Sequence, residues 1–95
     1  MPALVIIDLT VHDLPAMDRY EGPAIALMAK FGGKPIAKEL KPKIYEGVWS
    51  PTRLVVLEFP SRAAVDQFYA AEEYQPLKTL RQAAATSNGL LVVGD

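Results

Sequence analysis

Three features of this chain predict a ferredoxin-like α+β sandwich, with elements in the order βαββαβ and a four-stranded antiparallel sheet. The segments "ALVIIDLTV", "RLVVLEF" and "LLVV" are rich in β-branched side chains and read as strands. A stretch bearing lysines and prolines lies between the first two and reads as a strand at a sheet edge. Apolar residues at helical spacing occupy 13–33 and 61–86, between those strands. With 95 residues, 51% hydrophobic and 22% charged, the composition fits one soluble globular domain over 1–95.

The first strand spans 3–11 and ends at "HDLP". Asp13 is placed to cap the following helix, and Pro15 is tolerated in its first turn, where no intrahelical hydrogen bond is lost. Met17, Tyr20, Ala24, Leu27, Met28 and Phe31 form its apolar stripe. Pro23 lacks an amide hydrogen and crowds the preceding turn, which predicts a kinked or two-piece helix. Gly32-Gly33 supplies the left-handed conformation that ends it. The edge strand covers Lys34 to Tyr45, "EGVWSPT" is a loop, and "RLVVLEF" is the third strand. Ser61 caps a helix whose buried side is Val65, Phe68 and Tyr69. A second helical piece covers Glu72 to Thr86, with Leu77, Leu80 and Ala84 as its stripe. Asn88-Gly89 then turns the chain into the last strand. The first and third strands are central, and the second and fourth lie at the edges.

The odd-numbered face, with Val5, Ile7, Leu9, Val55, Leu57 and Phe59, is the more continuously apolar and is assigned to the helices. Leu4, Ile6, Leu54 and Val56 on the other face still need cover. A four-stranded sheet of this length projects on the order of 300 Å², comparable with the largest apolar patch of an ordinary monomer. A chain this short also buries only roughly 60 to 65% of its unfolded surface. A homodimer packing the two open sheet faces together answers both needs.

Composition excludes several functions. There is no cysteine, so disulfides, thiol nucleophiles and thiolate metal sites are out, and the single histidine, His12, argues against any metal centre. A net charge of −1 gives no reason to expect nucleic acid, and "RLVVLEF" lacks the exposed aromatic pair that stacks on bases. No apolar run approaches the ~20 residues of a membrane span, and no phosphate-binding glycine loop or nucleophile elbow is present. The expectation is a cytoplasmic protein, without membrane contact and without a cofactor, that acts on small molecules or protein partners.

"VIIDLTVHD", "KFGG", "EGVWSPTRLVVLEFPS" and "EEYQPLKTLRQAA", spread over nearly the whole chain, resemble the domain of unknown function 1330 family of the dimeric α/β-barrel superfamily. The resemblance implies a ferredoxin-like subunit and a homodimer whose two sheets form a barrel. It implies no settled reaction. Better-understood members of that superfamily include cofactor-independent monooxygenases and lactone isomerases, with substrate in a cleft between sheet and helices. The chain departs from the family's pattern after "FGG", where "KPIAKEL" replaces a more typical arginine- and glycine-containing strand and turn.

The candidate chemistry is thin. Asp8 and Glu58 share the even face, and as a close pair they would make an acid/base dyad. Antiparallel pairing separates them by two to four residues, or roughly 7 to 13 Å, so each instead meets a cation or hydroxyl in the dimer or reaches its rim. Arg53, His12 and Trp49 gather near one end of the sheet and could bind a planar organic acid, the arginine gripping a carboxylate. In the competing reading Trp49 caps the core, Arg53 pairs with Asp8 or Glu46, and His12 is solvated. Tyr20, Tyr69 and Tyr74 suit either a cleft lining or the core. Arg81 either neutralises Glu73 or reaches a ligand. The lysines at 34, 38, 41 and 43 are a solvated edge or a patch for an anionic ligand. Pro2, if freed of Met1, would offer a tautomerase-type secondary amine. The function expected is binding of a small apolar organic molecule or organic acid between sheet and helices, with cofactor-free isomerase or monooxygenase chemistry. The alternative is a structural or ligand-binding dimer without turnover.

Overall fold

Alternation of side chains along β1 (Ala3–Val11) and β3 (Leu54–Phe59) builds the molecule. These two strands pair antiparallel, with Leu4 opposite Glu58 and Asp8 opposite Leu54, so that their odd-numbered residues share one face. β2 (Lys34–Glu39) flanks β3 and β4 (Ala85–Gly94) flanks β1, giving the antiparallel order β2-β3-β1-β4 with the expected strands in the centre. The computed structural model describes residues 2–95, and Met1 lies outside them. Three helices, α1 (Leu14–Ala29), α2 (Arg62–Ala70) and α3 (Tyr74–Ala84), complete the ferredoxin-like sandwich.

The helices cover the odd-numbered face. Val5, Leu57 and Phe59 are buried against Leu27 and Met28 of α1, Val65 and Phe68 of α2 and Tyr74 of α3. Each such side chain contributes about 1.5–3 kcal/mol when fully buried. Asp13 caps α1 by accepting from the Ala16 amide at 3.1 Å, and Ser61 caps α2 by accepting from the Ala64 amide at 3.1 Å. Gly32 takes a φ of +80° just beyond α1, and a Cβ on Gly33 would sit 2.5 Å from the Phe59 ring. The glycine pair thus ends the helix and lets the chain pass close over the core.

Several expectations are corrected. α1 is one helix through Pro23 rather than two pieces. Pro23 and Arg19, whose carbonyl loses its intrahelical partner, both lie on the exposed side, where the freed carbonyl is not shut away in the core. β2 stops at Glu39 instead of reaching Tyr45, because its partner runs out: Glu39 faces Leu54, the first residue of β3. Residues 40–52 form a long, mostly exposed arm. Asn88-Gly89 does not make a turn, since β4 leaves α3 directly at Ala85. Gly89 opposes Asp8 and Ser87 opposes Leu9, so Asn88 is the extra residue of a β-bulge. Tyr69 is not buried but 36% exposed, with the Lys78 ammonium 4.7 Å from its ring centroid.

The even-numbered face is left without helices. Leu91 and Val93 of β4, opposite Ile6 and Leu4, are 52% and 39% exposed.

Candidate functional site

A cleft of about 260 Å³ opens between α1 and the helix-covered face of the sheet. Its floor is Ile7 and Leu9 of β1 with Val55 and Leu57 of β3. Its roof is the α1 face carrying Met17, Tyr20, Glu21, Ala24 and Met28, and β2 closes one side with Pro35 and Lys38. The spacing 17, 20, 21, 24, 28 is one helical stripe, which is why a carboxylate at position 21 joins an otherwise apolar wall. From α3, Arg81 completes the lining.

The polar groups divide into three sets. Glu21 accepts from Arg53 Nη2 at 2.9 Å and from Lys38 Nζ at 3.3 Å, tying α1 to the residue that leads into β3 and to β2. The hydroxyls of Tyr20 and Tyr74 are hydrogen-bonded at 2.7 Å. Burial pushes the pKa of the Tyr20 phenol far above its ordinary range, and the adjacent Tyr74 adds to this while the Arg81 charge opposes it. Tyr74 is raised too, by burial, against the lowering effects of the Tyr20 hydrogen bond and the Arg81 charge. Both phenols therefore stay neutral at physiological pH. Arg81 is 2% exposed; its Nη1 reaches only Ser87 Oγ, at 3.5 Å, and its buried Nε has no partner.

The structure separates residues that the sequence grouped. Arg53 turns to the helix side and pairs with Glu21, not with Asp8 or Glu46. Trp49 lies against the other face, where its Nε1 donates to Asp8 Oδ2 at 2.7 Å while Asn88 Nδ2 donates to Asp8 Oδ1 at 3.3 Å. His12 is exposed and hydrogen-bonds Thr86 Oγ1 at 3.1 Å. Asp8 and Glu58 stand four register positions apart on the even face, and the cross-strand neighbour of Glu58 on β2 is Lys34. Arg81 and Glu73 form no ion pair: Glu73 is exposed at the start of α3, and Arg81 points into the cleft two turns later. Tyr69 is absent from the cleft lining and borders a much smaller crevice of about 30 Å³, lined also by Phe59, Phe68 and Tyr74. Pro2 sits beside Gly94 and Asp95, away from the residues that line the cleft. Of the lysine-rich segment, Lys38 reaches the cleft, and Lys43 lies 5.0 Å from the centroid of the Tyr45 ring.

Sequence reasoning missed Glu21, although its spacing of four from Met17 was a usable signal. Among the described residues, no three histidine, cysteine or carboxylate side chains gather as a metal site would require.

The whole described chain, residues 2–95, matches the model of the family named Domain of unknown function (DUF1330). The chain belongs to the DUF1330 family. A comparison with curated proteins finds no match. Among solved structures, this DUF1330 chain is similar to the RPA0582 protein of unknown function from Rhodopseudomonas palustris, with a TM-score of 0.82 at 17% identity over 97% of this chain and 80% of that one. It is similar to SnoaB, a cofactor-independent oxygenase from Streptomyces nogalater, with a TM-score of 0.70 at 14% identity over 99% and 92% of the two chains. It is also similar to an antibiotic biosynthesis monooxygenase, with a TM-score of 0.55 at 21% identity over 100% and 98%. At these identities the likeness establishes the shared fold.

Proposed function

We propose that this DUF1330 protein takes a small, mostly apolar organic molecule into the cleft between α1 and the sheet, and that cofactor-independent oxygenase or isomerase chemistry is its reaction class. The observation that carries this reading is the cleft itself: an apolar floor and roof of about 260 Å³ on which Glu21, Lys38, Arg81 and Tyr20 converge. A structural dimer without a ligand would be expected to fill that space with aromatic side chains. Tyr69, Phe68 and Tyr74 instead close the neighbouring crevice and leave the cleft open. The size is near the lower end of small-molecule sites and suits a molecule of one ring. Likeness to a cofactor-independent oxygenase supports the reaction class at the level of fold.

The functional unit in this reading is a cytoplasmic homodimer in which residues 1–95 form one domain. Two features support the dimer. Leu91 and Val93 leave apolar surface on the helix-free face, and the arm 40–52 carries Tyr45, Val48 and Trp49 exposed by 82%, 100% and 58%. A second copy packing face to face would cover both. Native mass spectrometry of freshly purified protein tests the whole reading. The expected result is twice the chain mass, with a retained organic molecule or saturable uptake of benzyl alcohol. A bare monomer that takes up nothing would remove it.

A further inference from the structure

We propose that Arg81 is the anion-binding group of the cleft and that the ligand class is a compact organic acid, its carboxylate on the guanidinium and its apolar body against Ile7, Leu9, Val55 and Leu57. This rests on the reading that the cleft binds a small organic molecule, and it adds the charge and orientation of that molecule.

The charge count around the cleft is unbalanced. Two cations, Lys38 and Arg81, and one carboxylate, Glu21, line it, which leaves one positive charge over; Arg53, bound to Glu21 from behind, makes it two. Glu21 already serves Arg53 at 2.9 Å and Lys38 at 3.3 Å, so its single charge is shared between the two cations nearest to it. Arg81 has no carboxylate partner among the described residues. It is also the most deeply buried of the three, at 2% exposure against 6% for Arg53; the buried Nε of each arginine lacks a partner, but Arg53 has Glu21 on its guanidinium and Arg81 has no carboxylate.

An isolated buried charge carries a penalty of several kcal/mol, and an arginine cannot relieve it by losing its proton. Two neighbours could in principle balance it. The tyrosines do not, because burial keeps both as neutral phenols. The carbonyl end of α3 helps, since Arg81 lies in its last turn, but a helix end is equivalent to only about half a charge. The rest of the compensation falls to the ligand. Arginine presents parallel N–H groups that fit a carboxylate in the fork geometry, and an apolar wall opposite favours a ring or short alkyl body.

Benzoate and its neutral isostere benzamide test this by NMR titration of the intact protein. The unmodified protein should bind benzoate about 10-fold more tightly than benzamide, or about 1.4 kcal/mol, and the Arg81 Nε–H resonance should shift with benzoate only. Arg81→Gln should bring benzoate to the benzamide level, whereas Lys41→Gln, exposed and outside the cleft lining, should leave the preference in place. Equal affinity of the two probes, an Arg81 resonance that stays fixed while benzoate saturates, or a preference abolished by Lys41→Gln instead would each overturn the role of Arg81 while leaving the cleft as a binding site. Failure of both probes to bind would overturn the cleft reading and this inference with it. The resonance shift needs no variant, so a failure of Arg81→Gln to fold does not remove the test.

Discussion

The hydroxyls of Tyr20 and Tyr74 meet at 2.7 Å and join α1 to α3 between the cleft, which Tyr20 lines, and the smaller crevice, which both line. Their rings stand edge to face with centroids 6.4 Å apart, so both the apolar bodies and the polar tips are in contact. Removing one hydroxyl strands the other away from water, whereas removing both strands nothing. Tyr20→Phe and Tyr74→Phe should each destabilise by about 1–3 kcal/mol, and the double variant by clearly less than their sum. Urea unfolding of the three variants measures this, and strict additivity would show that the pair carries no coupling.

The same pair sets an alkaline limit on the fold. Burial is the largest cause in both cases, and it raises the folded-state values above the ordinary 10.0. The folded protein therefore holds these protons more tightly than the unfolded chain does. Its stability is fully present below pH 10 and falls as pH rises through the unfolded value towards the folded one. Stability measured from pH 9 to 11.5 should decline with rising pH, and the Tyr20→Phe/Tyr74→Phe double variant should show a shallower decline. An equal slope in the double variant would place the alkaline sensitivity elsewhere.

Much of this architecture was legible in the residues, for identifiable reasons. The first strand at 3–11, the third strand expected at 53–59 and found at 54–59, both helix caps and the helix-covered face follow from β-branched runs, from the more apolar odd-numbered face and from side chains that satisfy local amides. Asn88-Gly89 misled because its turn chemistry is local, while the bulge it forms is fixed by a partner strand 80 residues away, where Asn88 bonds Asp8 and, at 2.8 Å, Thr10. The site was half legible. Tyr74, Leu77, Arg81 and Ala84 keep helical spacing, so a cation on a buried stripe was visible. What the spacing did not contain was the choice of Glu21 for Arg53, because that choice depends on how α1 lies across β3.

Glu21 is predicted to matter through Arg53 more than through Lys38. Arg53 is buried and loses its counter-ion in Glu21→Gln, whereas the Lys38 side chain is 47% exposed and can be hydrated instead. Because the Glu21 side chain is itself 25% exposed, the cost falls below that of breaking a fully buried pair. Glu21→Gln should destabilise by about 1–3 kcal/mol, and Lys38→Gln by no more than about 0.5 kcal/mol. Thermal or urea unfolding of both variants checks the ranking, and equal losses would contradict it.

Gly33→Ala should be costly although it adds a single methyl group. The new Cβ would stand 2.5 Å from two atoms of the Phe59 ring, and Phe59 is 1% exposed and wedged against Phe68. With no room to retreat, the ring must leave its packed position, at about 1–3 kcal/mol. Gly22→Ala meets no atom within 4 Å and serves as the control, with a small change of either sign. Parallel unfolding curves of the two variants decide it, and a Gly33→Ala protein as stable as Gly22→Ala would contradict the close approach.

The proposed dimer can be separated from folding at Leu91. This residue lies opposite Ile6 on the helix-free face and is 52% exposed, so a lysine there remains solvated in a lone subunit. Packed against a second sheet, the same lysine would place two unpaired charges in an apolar interface, one from each copy across the symmetry axis, at several kcal/mol apiece. Leu91→Lys should therefore give the mass of one chain by light scattering at micromolar concentration, with an unchanged circular dichroism spectrum. Leu14→Lys, equally exposed at 54% but on the helical side, should leave the assembly intact. If Leu91→Lys stays dimeric, the interface lies elsewhere. If Leu14→Lys alone becomes monomeric, the helices rather than the open sheet hold the two copies together.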